Sequence, residues 1–293
     1  MLFVHGPESF SFPECQNVEN MQLFYENYSS AFCQHHAHYA YGFSECFRRR
    51  GKKRIEDNSF LIEEAYNQEE GVIQYIQSYQ YSKKTKNWNY TFTNEFPMPN
   101  QTHQFSYTVP LARVGDNPSF HSGLGDIALN YRYQLVKNDD VALSPRLSLI
   151  LPTGQYKKGL GNGAMGYQVN MPLSIDLADK WVSHWNAGAT YTPKARDASG
   201  VRADIHGTSY GFSIVYLNSE TLNFLVEYVR NDNQEVQSDG SKAWKKSAFL
   251  NPGLRYAKNY GSGWQMVSGM SFPIGVGSSK GDKGILLYLS FEK

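Results

Sequence analysis

From Val72 to the end of the chain, apolar and polar side chains alternate in segments of about ten residues. A period of two marks a strand whose two faces meet different surroundings. Trp88, Tyr90, Phe92 and Phe96 alternate with Asn89, Thr91, Thr93 and Glu95, and Phe105, Tyr107, Val109 and Leu111 with Gln104, Ser106 and Thr108. Ile127, Leu129, Tyr131, Tyr133 and Leu135 oppose Asp126, Asn130, Arg132 and Gln134. Met165, Tyr167, Val169, Met171 and Leu173 oppose Gln168, Asn170, Ser174 and Asp176. The second face is too polar for the interior of a sandwich, so the pattern predicts lipid on one side and water on the other. About twelve such segments are present, the poorest in register being 263–272, where Trp264, Met266 and Met270 alternate weakly with Gln265, Val267 and Gly269.

The connections follow a rhythm. Short turns rich in Asn, Asp, Gly and Ser are expected at 137–140, 177–180, 218–221 and 258–261, and long polar loops at 113–123, 152–163, 193–206, 231–245 and 273–284. Short turns on one side and long loops on the other belong to an outer-membrane barrel, and only the first hairpin, at 83–86, departs from the scheme. The predicted fold is therefore all-β: a transmembrane antiparallel up-and-down barrel of about twelve strands, both ends on the periplasmic side. At that strand number the pore is intermediate in width, and folded-in loops or the N-terminal arm could plug it.

Composition sharpens this picture. Aromatic residues make up 15% of the 293 positions, with 21 Tyr, 17 Phe and 5 Trp, yet the mean hydropathy is −0.52. A barrel that shows aromatics to lipid and lines itself with polar groups produces that combination. No stretch approaches the roughly 18–20 apolar residues of a membrane-spanning helix. A net charge of +1 gives no reason to invoke nucleic acid.

Residues 1–56 lack alternation and hold all three cysteines, Cys15, Cys33 and Cys46. The thiol-free remainder suits an oxidising compartment. No basic patch, apolar run and small-residue cleavage site stand at the start. The expectation is a disordered segment or a mis-assigned start over 1–56, and a barrel domain over 57–293. Cys33, His35, His36, His38 and Cys46 lack the spacing of a standard zinc finger, and the basic run Arg48, Arg49, Arg50, Lys52, Lys53 and Arg54 resembles a nucleic-acid patch by composition alone.

Other motifs give way to the strand pattern. Gly161-Asn-Gly163-Ala-Met-Gly166 matches a dinucleotide fingerprint but is followed by a strand where a helix is required. Leu151-Pro-Thr-Gly154 reads as a strand end and loop. His184 and Asn186 share a face with Thr190, and His121 and Ser122 sit at a loop end, without a convincing nucleophile beside either histidine. No enzyme activity, metal or cofactor is expected. The strand phases point Glu95, Asp126, Arg132, Arg146, Asp176, Glu227 and Arg255 into the lumen as selectivity candidates. Glu227 and Arg255 are expected to pair across their ladder. Arg132 and Arg146 are expected to face each other across the Lys137 turn and to need a carboxylate or a passing anion.

Several segments together resemble the outer-membrane family linked to the MetA pathway of phenol degradation. They are Ile62-Glu-Glu-Ala-Tyr-Asn-Gln-Glu69 leading into Val72-Ile-Gln-Tyr-Ile-Gln77, Leu149-Ile-Leu-Pro-Thr-Gly154, Gly159-Leu-Gly-Asn-Gly163, Tyr167-Gln-Val-Asn170 and Asn186-Ala-Gly188. The resemblance spans about residues 57–293. It implies an outer-membrane transporter for aromatic or other hydrophobic compounds, with membrane lipid and a small-molecule permeant as partners and no catalytic motif. Alternatives are an outer-membrane hydrolase and a soluble barrel carrying an apolar ligand.

Overall fold

A computed structural model describes Ile55 and residues 57–293. Twelve antiparallel strands build one closed wall: β1 (Gln74–Ser82), β2 (Trp88–Pro97), β3 (His103–Asp116), β4 (Ser119–Leu124, Ile127–Tyr133 and Val136–Lys137), β5 (Val141–Leu143 and Arg146–Leu151), β6 (Gly166–Asn170 and Leu173–Ala178), β7 (Trp181–Arg196), β8 (Arg202–Leu217), β9 (Leu222–Val236), β10 (Lys242–Asn259), β11 (Gln265–Ser271 and Ile274–Gly275) and β12 (Gly284–Glu292). Each strand pairs with its chain neighbours, and β12 closes onto β1 from Gln74 opposite Glu292 to Ser82 opposite Gly284. Closure leaves the wall without an unpaired edge strand, so the ladders run around the whole barrel. Proline interrupts β5, β6 and β11 at Pro145, Pro172 and Pro273, where a ladder N–H is missing. The carbonyls of Pro145 and Pro172 still accept from Tyr133 and Ser144, each at 3.0 Å.

An even strand number brings both ends of the wall to the same rim, called here the terminal rim; the opposite one is the distal rim. Turns at the terminal rim are short throughout. At the distal rim the expectation of long loops needs correction. Most of 193–206 and 231–245 is strand, turning only at 197–201 and 237–241, and 113–123 is a hairpin that turns at Asn117 and Pro118. Hairpins that project beyond the apolar belt have two wet faces, so their sequence loses its alternation while the ladder continues. Longer distal connections run over 152–165 and over 276–283, the second within the expected loop at 273–284. The 265–271 part of β11 has a defined register, with Val267 and Ser271 buried inside and Met270 exposed.

The outward positions carry the apolar side chains. Leu129 and Trp185 are each 44% exposed, Tyr210 47% and Leu147 57%. Rings touch in rows across neighbouring strands, Tyr75–Phe92–Tyr107 on β1 to β3 and Trp185–Phe212–Tyr228 on β7 to β9. A large exposed apolar belt is stable only against acyl chains. No helix among the described residues is long and apolar enough to cross a membrane; the strands do the crossing. The protein is an outer-membrane β-barrel, and the soluble-carrier alternative, with its apolar face inward, is excluded.

Candidate functional site: the lumen and the ring inside it

The chain does not enter β1 directly. Residues 57–68 first run around the inside of the wall, meeting the strands in nearly descending order. At the start, Tyr288 and Ser290 of β12 donate to the Asp57 carboxylate, and Arg255 of β10 donates to the carbonyls of Asp57 and Asn58. Ser59 donates its hydroxyl to Ser213 of β8 at 2.8 Å. The successive backbone N–H groups of Phe60, Leu61 and Ile62 all donate to Oε1 of Glu227 on β9, at 2.9, 2.9 and 3.0 Å. Asn251 of β10 donates to the other carboxylate oxygen at 2.6 Å.

The circuit continues through β7 to β3. Asn186 accepts from the Glu63 N–H at 3.0 Å and donates to its carbonyl at 2.8 Å. Ser174 of β6 accepts from the Ala65 N–H at 2.8 Å, and Gln134 of β4 and Ser144 at the β5 break donate to the Ala65 carbonyl. Arg132 of β4 donates to the carbonyls of Glu64 and Tyr66 and to the Asn67 side chain. Gln104 of β3 accepts from the Gln68 N–H at 2.7 Å. Gln74, at the foot of β1, then ties the ends together: it accepts from Gln68 at 2.7 Å and donates to Asp57 at 3.0 Å.

The result is a ring of chain held within the barrel. Its sequence has no strand period, so its backbone groups cannot join a ladder and need side-chain partners once buried. The wall supplies them. A net hydrogen bond of this kind contributes about 1 kcal/mol, and one to a charged group about 1.5–3. Burial pushes the Asp57 carboxyl above its usual range, opposed by the Arg255 guanidinium and the hydrogen bonds from Ser290 and Tyr288.

The wall is also shaped for the ring. A Cβ at Gly253 or Gly269 would lie 2.5 Å from the Phe60 ring, and one at Gly211 would lie 2.8 Å from Ile62. Inward-facing glycine therefore makes room for the two apolar side chains, and Phe60 meets Tyr288 edge-on at 6.0 Å. Ile55 belongs to one buried apolar cluster with Val182, Val215, Leu225, Ala257 and Val267.

The seven lumen candidates divide as follows. Glu227, Arg255 and Arg132 are buried against the ring. Glu95, also buried, accepts from Gln104 at 2.7 Å and lies 4.0 Å from Arg132. Arg146 pairs with Glu63 of the ring at 2.9 Å. Asp176 accepts from the Tyr66 hydroxyl at 3.4 Å. Asp126 stands apart, at a break in β4, where its two oxygens accept the backbone N–H groups of Gly154 and Asn162 at 2.9 and 2.8 Å and pin the long distal loop.

One expectation is overturned. Glu227 and Arg255 do not pair, because the β9–β10 register sets Glu227 opposite Asn251 and Arg255 opposite Asn223. Four residues of strand separate the two heights, about 13 Å at 3.3 Å per residue. Arg132 and Arg146 are indeed ladder partners. The sequence does not show the ring as a definite element; the inward charges of both signs are the signal it carries. A serine also stands beside His184, where the sequence offers no convincing nucleophile. Ser174, opposite His184, lies 2.8 Å from its Nδ1. Both are buried and Ser174 holds the ring, so the pair is built into the packing and not displayed at the lipid edge. The candidate zinc ligands and the basic run lie outside the described residues.

No family model and no curated protein matches the chain. Solved structures do. An outer membrane channel from Pseudomonas putida F1 superposes with a TM-score of 0.56 at 16% identity, covering 78% of this chain and 97% of that one. The NanC porin superposes with a TM-score of 0.50 at 11% identity, covering 74% and 98%. At these identities the likeness establishes a shared barrel fold, that of outer membrane channels and porins.

Proposed function

We propose that this barrel is a passive outer-membrane channel for small molecules, narrowed by its own residues 57–68. The observation that carries the reading is a closed wall whose interior is lined by hydrogen-bonding groups such as Thr93, Thr108, Asn130, Gln168 and Thr190. Such a lining suits water and solute, whereas a purely structural barrel of this width could fill its centre with apolar side chains. The similar structures are by name a channel and a porin, which supports a passive role. The resemblance to the phenol-degradation family adds aromatic or other hydrophobic compounds as the permeants to try first. Glu95, Arg132, Arg146, Asp176, Glu227 and Arg255 then act in two ways: most hold the ring, and those that solvent reaches set selectivity. No catalytic role is assigned.

Swelling of liposomes that contain the purified protein tests the reading. Small neutral solutes and phenol are expected to enter, and entry to quicken in Glu227→Ala. Liposomes that stay impermeable to every solute, with wild type and with Glu227→Ala alike, would contradict it.

A further inference from the structure

We infer that Arg146 is a binding site for small monocarboxylates, and that a bound carboxylate replaces Glu63 on its guanidinium. The inference rests on the passage reading above and names a permeant class for it. Arg146 stands at the centre of a chain of side-chain hydrogen bonds across five strands. Asn130 donates to Ser106 at 3.1 Å, Arg146 donates to Asn130 at 3.0 Å and to Gln168 at 2.9 Å, and Gln168 donates to Thr190 at 3.1 Å. The two amide oxygens fix the plane of the guanidinium but leave its charge unbalanced.

That charge is met by Glu63, at 2.9 Å. Glu63 is anchored to the wall through its backbone, by the reciprocal bonds with Asn186, so its side chain can swing away while the ring stays in place. Solvent reaches this pair: the Arg146 side chain is 17% exposed and that of Glu63 29%, against 5% for Arg132. The ladder partner of Arg146 is Arg132, a second cation, itself 4.0 Å from Glu95.

Two buried polar atoms at this spot have no hydrogen-bond partner, Nε of Arg146 and Oγ of Ser148. Ser148 is the next inward residue on β5 and pairs with both Asn130 and Gln168. Both atoms can donate a hydrogen. A cation next to two unused donors calls for an anionic acceptor with two oxygens, which is a carboxylate. A protonated amine would be repelled, and a neutral amide would bring one acceptor and no charge.

The test is a titration of the folded barrel in micelles with propionate, and with propionamide as the neutral control, following the Arg146 Nε–H resonance by NMR. Propionate is expected to shift that resonance in wild type and to bind about fivefold more tightly in Glu63→Gln, the loss of a competitor held in a partly exposed ion pair. Propionamide is expected to leave it unmoved. In Arg146→Gln, saturable propionate binding is expected to vanish. No shift with propionate in Glu63→Gln, or an equal shift with propionamide, would overturn the assignment even if Arg146→Gln fails to fold. Ion conductance of the same preparation is measured separately. Conductance without propionate binding sinks the carboxylate site alone, and binding without conductance sinks the passage reading.

Discussion

A single carboxylate, that of Glu227, accepts three successive backbone N–H groups of the ring, as many hydrogen bonds as Arg132 makes to it. Glu227→Gln keeps an oxygen in place but removes the charge, and charge-assisted hydrogen bonds are roughly twice as strong as neutral ones. Across the bonds to Phe60, Leu61 and Ile62, a loss of about 2 kcal/mol is expected, which is about thirtyfold in the opening equilibrium. Hydrogen exchange at those three amides should quicken by that factor while the barrel ladders stay protected. Unchanged exchange would mean that the ring is held by other contacts. The glycine beneath Phe60 makes the complementary case. Gly269→Val forces its side chain into a ring 2.5 Å away, whereas nothing lies within 4 Å of a Cβ at Gly261. Single-channel recording should find a larger conductance for Gly269→Val and the wild-type value for Gly261→Val.

At the scale of the element, the strands were legible because their two faces meet opposite solvents. The lipid-facing set runs through Leu129, Leu147, Tyr167 and Trp185, all exposed, and the inward set through Asn130, Ser148, Gln168 and Asn186. Legibility stopped where that contrast stopped. The distal ends of β7 to β10 are wet on both sides, so 193–206 and 231–245 read as loops although most of their residues pair in ladders. It stopped again at 57–68, a segment without period whose conformation is set by side chains from 6 to more than 230 residues away in sequence. The lumen charges can be phased strand by strand, but the partner of each depends on ladder register and on the ring, which is why Glu227 and Arg255 do not pair as the sequence suggests. The same contrast of faces makes a stability prediction. Leu129→Arg places a charge in the apolar belt and should destabilise the inserted barrel by about 2 kcal/mol or more, against about 0 for Gln237→Arg in a distal turn. Urea titrations of folding into lipid vesicles measure the difference. Equal midpoints would contradict the position of the belt.

For the whole molecule, closure and content act together. Twelve strands enclose more space than the side chains of an eight-stranded barrel would fill and less than a wide porin channel. In this chain the ring occupies that space, tied to itself through Gln74, Gln68 and Asp57. The wall could carry solute only past or in place of this ring, so the size of the passage should depend on it more than on any wall residue. The most direct measurement is single-channel conductance in planar bilayers for the full chain and for the chain lacking residues 57–68. A small conductance that rises severalfold on deletion is the predicted result. Equal conductances, with the shortened barrel still folded and inserted, would contradict the claim that these residues set the width of the passage.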